Sequence, residues 1–203
     1  MIEKIHWLGH DAFRVDAEKV IYFDPWKLQG KPPLADLVLI SHEHDDHCSP
    51  DDVALIRGPQ TAVVAPAPCA GKLGGKVRVV KVGDTLEVQG VQIEVVPAYN
   101  VNKTFHPRSP DNVGYIVTVE GTRIYHAGDT DVIPEMGRFT VDIALLPVSG
   151  TYVMTADEAV KATEVIRPGL VVPMHYGTIV GSERDARHFQ RLSPATVRIL
   201  QPE

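Results

Sequence analysis

Residues 37–47, Leu-Val-Leu-Ile-Ser-His-Glu-His-Asp-Asp-His, limit what this chain can become more than any other stretch. The unbroken apolar run Leu37 to Ile40 has the length and composition of a short strand buried on both faces, and it ends at Ser41. The next six residues hold three imidazoles and three carboxylates. At the end of a buried strand, such a cluster is stable if a cation neutralises the carboxylates and takes up the imidazole lone pairs. His42, His44, Asp46 and His47 form the pattern His-x-His-x-Asp-His. A tight turn after the strand can aim the first two histidines at one metal ion and the last two residues at a second. An ordinary solvated loop is built from Gly, Pro, Asn, Asp and Ser, and this composition is far from that.

Further segments carry chemistry in the same order along the chain. Trp7-Leu8-Gly9-His10 and Asp24-Pro25 precede the cluster; Tyr125-His126-Ala127-Gly128-Asp129-Thr130 and Pro173-Met174-His175-Tyr176 follow it. With the His-x-His-x-Asp-His pattern, these pieces resemble the metallo-β-lactamase superfamily over nearly the whole chain. Within it they look like the small stand-alone hydrolases related to the ascorbate-6-phosphate lactonase and the N-acyl-phosphatidylethanolamine phospholipase D. The resemblance implies a four-layer αββα sandwich and a binuclear metal site, and it specifies the substrate poorly.

At 203 residues the chain reads as one domain, 1–203, long enough for a sizeable core. A net charge of -6 argues against a nucleic-acid backbone as partner. The opening Met-Ile-Glu-Lys-Ile-His-Trp places acid and base where a secretory signal needs an apolar stretch, and no run approaches membrane-spanning length. These observations give the expectation of a cytoplasmic protein with no membrane contact, acting on a small molecule. Cys48 and Cys69 make no disulfide framework and read as structural thiols.

Strand-like segments Lys4–Leu8, Ala12–Val15 and Val20–Phe23 read as an antiparallel meander. Ser49 can cap a short helix opened by Pro50 and ending near Arg57. Thr61–Ala65 reads as a strand, and 66–75 as a short helix or loop. Val77–Val82, Thr85–Val88 and Val91–Pro97 alternate as a second antiparallel block, with Gly83-Asp84 and Gln89-Gly90 as hairpin turns. A long polar loop, 98–112, comes before the hairpin Val113–Glu120 and Arg123–His126. The later chain alternates strand and helix: Asp142–Leu146, a helix Ala156–Ile166 with a Thr155/Glu158 capping box, Leu170–Pro173, a helix Ser182–Leu192, and a closing strand Thr196–Leu200. The pattern fits an α/β (α+β) architecture of two mixed β-sheets packed face to face with helices outside.

His42 and His44 supply two ligands, and a hydrolytic metal ordinarily has three from protein plus a water. The superfamily pattern takes the third from a mid-chain loop, where related proteins place a histidine after the strand. This chain has Tyr99-Asn100 there, and the nearest histidine is His106. Imidazole suits zinc and iron better than a neutral amide, so His106 leads and Asn100 is the alternative. Asp129, after a strand, is the bridging carboxylate by both resemblance and chemistry, because an anion between two cations relieves their repulsion. His175 completes the second position with Asp46 and His47. Asp24 reads as a carboxylate that orients a ligating imidazole, with His10 and His126 near the ligands rather than among them. His6 and His188 read as packing or surface residues.

The implied reaction is hydrolysis of an ester, lactone or phosphodiester by a hydroxide shared between two divalent cations, zinc first and manganese or iron next, about 3.5 to 4 Å apart. Asp46 and His175 are the candidate catalytic residues, Asp46 also as a proton acceptor. Lys103 and Arg108 in the long loop suit an anionic substrate group, and Tyr176 and Tyr152 lie near strand ends. Two other classes share such a fold: di-iron oxidoreductases, which carry a carboxylate where this chain has His44, and non-catalytic metal-binding proteins. No Gly-x-Ser-x-Gly elbow supports a serine hydrolase.

Overall fold

The computed structural model describes residues 1–203. Strands β1 (Ile5–Gly9), β2 (Ala12–Asp16) and β3 (Val20–Phe23) form the expected antiparallel meander. The sheet continues in parallel through β4 (Ala35–Leu39), β5 (Arg57–Pro66) and β6 (Arg78–Val80), so its order is β1-β2-β3-β4-β5-β6. Helices α1 (Pro50–Ile56) and α2 (Ala67–Leu73) make the parallel crossovers.

The second half repeats the plan. Strands β7 (Thr85–Val88), β8 (Val91–Pro97), β9 (Val113–Val119) and β10 (Thr122–His126) run antiparallel. Then β11 (Ile143–Pro147), β12 (Leu170–Met174) and β13 (Thr196–Val197) add in parallel through α3 (Ala156–Ile166) and α4 (Glu183–Leu192). Seven strands therefore form the second mixed sheet.

Local signals account for most boundaries. Ser49 accepts from the Asp52 amide at the start of α1, and Thr155/Glu158 and Ser182/Asp185 form capping boxes on α3 and α4. Gln89-Gly90 and Glu120-Gly121 take positive φ at both positions, which is the turn that matches strand twist in a two-residue hairpin.

Two expectations change. Arg78–Val80 does not join the Val-rich antiparallel block; it lies in the first sheet, parallel to β5, with Val64 opposite Arg78. Alternation shows that a strand exists and not which edge receives it, and α2 returns the chain to the first sheet. The switch between sheets falls instead at Gly83-Asp84, where Gly83 donates to the Val95 carbonyl and Val95 to that of Asp84. The closing strand stops at Val197, short of Leu200.

The apolar run that opened the sequence is used on both faces. Leu37 and Leu39 face the second sheet, within a core that also takes in Phe13, Phe23, Tyr115, Ile93 and Leu145. Val38 and Ile40 face α1 and α2, with Tyr22, Val53, Ile56, Cys48 and Cys69. Ala159, Ala162, Ile166 and Phe189 bring α3 and α4 onto the outer face of the second sheet. The layers are thus helices, sheet, sheet, helices.

Within each sheet, antiparallel turns followed by parallel additions give β1, β3, β4 and, in the other sheet, β8, β10, β11, β12 a common direction. Their C-terminal ends consequently open on one edge of the sandwich, the usual place for a site in sheets with parallel strands. Leu39 is wholly buried between the sheets, whereas Leu55 on α1 is 57% exposed. Leu39→Ala is expected to cost about 2–5 kcal/mol in chemical denaturation and Leu55→Ala less than about 0.5 kcal/mol. Equal losses would contradict this layering.

Candidate metal centre

The turn after β4 is held by both sheets. The Ile40 amide donates to Val64 in the first sheet, and the Ser41 carbonyl accepts from Val113 in the second. Amides of His47 and Cys48 both donate to the His44 carbonyl, closing the tight turn that the spacing suggested. Gly128 takes φ +61, and a Cβ there would stand 2.9 Å from the Val113 carbonyl oxygen and 3.1 Å from Ser41 Cβ. A glycine is therefore required for the Asp129 loop to close on Ser41. His175, at φ 60, donates its amide to the His10 carbonyl across the two sheets.

Each imidazole is fixed by one nitrogen and presents the other. Nδ1 of His42 meets Ser41 Oγ at 2.9 Å, that of His47 meets Asp24 at 2.8 Å, that of His106 meets the Tyr152 carbonyl at 3.1 Å, and that of His175 meets Ser149 Oγ at 2.9 Å. All four leave Nε2 pointing inward, the orientation that outer hydrogen bonds impose on metal-ligating histidines. His44 is reversed: its Nδ1 lies 3.0 Å from both His42 Nε2 and His106 Nε2.

Two adjoining donor groups result. His42, His44 and His106 form one. His47, His175, Asp129 and Asp11 form the other, and His10 and Asp46 adjoin it with His47 and His175. Asp129 stands between them, with Oδ2 3.2 Å from His106 Nε2 and 3.3 Å from His175 Nε2, and Oδ1 3.4 Å from His47 Nε2. His47 Nε2, Asp129 Oδ1 and both oxygens of Asp11 are buried with no hydrogen-bond partner in the protein. Buried polar atoms are ordinarily paired, so a converging set of orphan nitrogens and carboxylate oxygens fits a metal ion.

The other expected residues fall in distinct places. Asp24 accepts from the Ser41 amide and hydroxyl as well as from His47, so it braces His47 directly and His42 through Ser41. His10 Nε2 lies 3.1 Å from Asp46. His126 stacks on Phe23 and meets the Asp11 carbonyl through Nε2, away from the ligand atoms. Asn100 donates to the Phe105 and Tyr152 carbonyls, shaping the loop that carries His106. His188 pairs with Asp157 and His6 with Glu203, on the surface.

Lys103 is ion-paired with the buried Asp131, and Arg108, 72% exposed, pairs with Glu135. Both cations expected to meet substrate are thus already neutralised within the protein. Tyr176 lies 4.8 Å from the Trp7 ring with its hydroxyl buried. Cys48 and Cys69 are buried free thiols. Sequence reasoning missed Asp11, because an aspartate in a short turn after Gly9-His10 reads as turn chemistry. The available signal was its position between the apolar Trp7-Leu8 and Ala12-Phe13, which places a carboxylate inside the core.

The beta-lactamase superfamily domain model matches residues 4–175. A metal-dependent hydrolase of Thermococcus kodakarensis is 37% identical over 219 residues, covering 98% of this chain and 96% of that one. Among solved structures, one named as a metal-dependent hydrolase of Parabacteroides distasonis aligns with a TM-score of 0.86 at 36% identity, covering 97% of this chain and 93% of its own. A metallo hydrolase of the archaeon Ignicoccus hospitalis aligns with a TM-score of 0.79 at 27% identity, covering 98% and 94%.

Charges in the metal-free protein are strongly coupled. Burial alone would lower the pKa of His47, but Asp129 and Asp24 hold it well above the ordinary imidazole value. His175, likewise opposed by burial, is pushed up to about 9 by Asp129 and Asp11. Asp129 is held well below the carboxylate range against its own burial, by His175 and His47. Burial lowers His42 and His106.

At neutral pH His47 and His175 are therefore cationic until a metal displaces their protons. Affinity for Zn2+ or Mn2+ is expected to rise with pH up to about 9, with proton release visible by calorimetry in buffers of different ionisation enthalpy. Stability of the metal-free protein should move the opposite way. Pairing raises these imidazoles above the unfolded value of 6.5, so their contribution is complete below it and is lost as pH rises through about 9. A chelated sample whose Tm stays level over that interval, with pH-independent metal affinity, would refute the charged imidazoles.

Proposed function

Since the chain belongs to the metallo-β-lactamase superfamily, we propose that it is a metal-dependent hydrolase acting on a small-molecule ester, lactone or phosphodiester. The observation that carries this reading is the pair of adjoining donor groups that meet at Asp129, with His47 Nε2, Asp129 Oδ1 and both Asp11 oxygens buried and unpaired. Residues 1–203 would act as one domain. His42, His44 and His106 would hold one divalent cation, and Asp46, His47 and His175 a second, with Asp129 common to both; zinc leads, with manganese or iron next. Such a pair supplies hydroxide near neutral pH and polarises the scissile carbonyl or phosphoryl oxygen.

The protein's own groups then divide the work. Asp24, Ser41, Ser149 and the Tyr152 carbonyl lock the imidazoles before substrate arrives. Proton acceptance is a secondary role for Asp46, since holding a cation reduces its basicity; its side chain is 23% exposed, and His10 lies against it to steady it. His10 hydrogen-bonding holds its carboxyl below the ordinary range against partial burial, so it stays ionised.

The surroundings favour a substrate with an apolar or aromatic part. Phe105 and Tyr152 are exposed beside His106, their rings 4.6 Å apart, and Trp26 lies 5.4 Å from the His10 ring. Lys103 and Arg108 are committed to Asp131 and Glu135, which leaves a carbonyl ester or lactone better served than a phosphate dianion.

Metal-loaded enzyme should hydrolyse members of a panel of aryl esters, lactones and bis-aryl phosphates, with His44→Ala and Asp129→Ala each lowering kcat/KM by about 100-fold or more. Phe105→Ala should raise KM for the aryl ester about tenfold with little change in kcat, the mark of uniform apolar binding. Loaded protein that turns over nothing, or variants with native rates, would remove the hydrolase reading.

A further inference from the structure

Asp11 has no role in the reading above, although it is the most deeply placed carboxylate of the centre. It sits in the turn between β1 and β2, fully buried, and neither carboxylate oxygen has a hydrogen-bond partner. A buried carboxylate without partners is among the least favourable arrangements in a protein, and removing the group or neutralising it are the two remedies. This chain keeps the group.

The neighbours of Asp11 are nitrogens aimed at a common point. Its Oδ2 lies 3.5 Å from His10 Nε2, 3.7 Å from His47 Nε2 and 3.8 Å from His175 Nε2. The last two distances are too long for hydrogen bonds. They are close to the separation, about 3.4 Å, of two ligand atoms each about 2.1 Å from one tetrahedral ion. His47 and His175 are already tied through Nδ1 to Asp24 and Ser149, so their Nε2 atoms face Asp11 and Asp129, with Asp46 Oδ2 3.8 Å from that of His47.

We infer that Asp11 is an additional ligand of the second cation, and that its carboxylate makes that position more receptive to Mn2+ or Fe2+ than the imidazole-rich first position. The inference rests on the reading that this centre binds two divalent ions. With Asp11 included, the second position draws on Asp11, Asp46 and Asp129 beside two imidazoles, whereas the first draws on three imidazoles and Asp129. Carboxylate oxygens suit harder ions and imidazole suits zinc, so the two positions differ in the metal they select. Charge agrees: three carboxylates oppose the four positive charges of two divalent ions more evenly than two do.

The experiment uses full-length protein stripped with a chelator and titrated separately with Mn2+ and Zn2+. Binding is followed by calorimetry and by the electron paramagnetic resonance signal of free Mn2+. Native protein is expected to bind two equivalents. Asp11→Asn should keep one and bind Mn2+ at the other at least about tenfold more weakly, with a smaller loss for Zn2+. Thermal unfolding supplies a second readout. Asp11→Asn should shrink the increase in Tm that Mn2+ produces over the metal-free protein of the same variant. Asp11→Ala should show the same smaller Mn2+-induced gain, on a metal-free Tm lowered by the cavity it leaves.

Native Mn2+ stoichiometry and affinity in both variants would overturn the inference, and so would a Mn2+-induced gain in Tm equal to that of the native protein. Failure of the hydrolase reading looks different: native protein would bind both ions and turn over no substrate while Asp11→Asn still lost the second.

Discussion

Buried carboxylates dominate the energetics of this molecule. Asp11, Asp24 and Asp129 are all less than 5% exposed. Asp24 satisfies its oxygens internally, through Ser41 and His47. Asp129 leans on three imidazoles at 3.2 to 3.4 Å, and Asp11 has no partner at all. Desolvating such charges costs several kcal/mol each, so the metal-free fold carries a standing penalty at the edge where its two sheets meet. The large core between the sheets offsets that penalty, and cations in the centre convert it into binding free energy.

The same edge concentrates backbone strain. Of the non-glycine residues with positive φ, Gln89 and Glu120 sit in hairpin turns and Arg167 ends α3, where the conformation is routine, and Lys27 lies in the loop after β3. His10, Asp24, His106, Tyr152 and His175 have it too, and each belongs to the centre or braces it. The left-handed region costs an ordinary residue roughly 1–2 kcal/mol. Such strain persists where surrounding packing fixes the chain, and here β1, β3 and β12 end immediately before His10, Asp24 and His175. A side chain leaving a strand in that conformation turns back over the strand end, which lets imidazoles from separate strands meet within one small volume.

Much of this was legible because it is local. Leu37–Ile40 announced a strand buried on two faces, and the spacing His42, His44, Asp46, His47 announced a turn loaded with candidate ligands. Asp129 and His175 stood just after strands for the same topological reason. His106 could be preferred over Asn100 on ligand chemistry, and the structure sets its Nε2 against His44 and Asp129 while Asn100 shapes the loop. What escaped depends on partners remote in sequence. Lys103 looked free until Asp131, 28 residues away, took it up. Arg78–Val80 had the alternation of a hairpin strand, and only the return of α2 assigns it to the other sheet. Asp11 sat in a turn, where aspartate is common for reasons unrelated to metals.

The centre is also unequal from end to end. His44 is exposed, and Phe105 and Tyr152 stand beside its partner His106, so the imidazole-rich group faces the entrance. The carboxylate-rich group lies deeper, backed by His10, Trp7 and Tyr176, with the Trp7 indole donating to the His10 carbonyl. A substrate approaching over His44 would meet apolar rings and imidazoles first, while the negative charge that tightens the deeper position is screened behind Asp129. Separating the ends in this way lets the inner residues be tuned for holding a cation and the outer ones for admitting a neutral group. A single carboxylate, Asp129, couples the two, so substitutions at the entrance and in the depth should be close to additive except where both act through it.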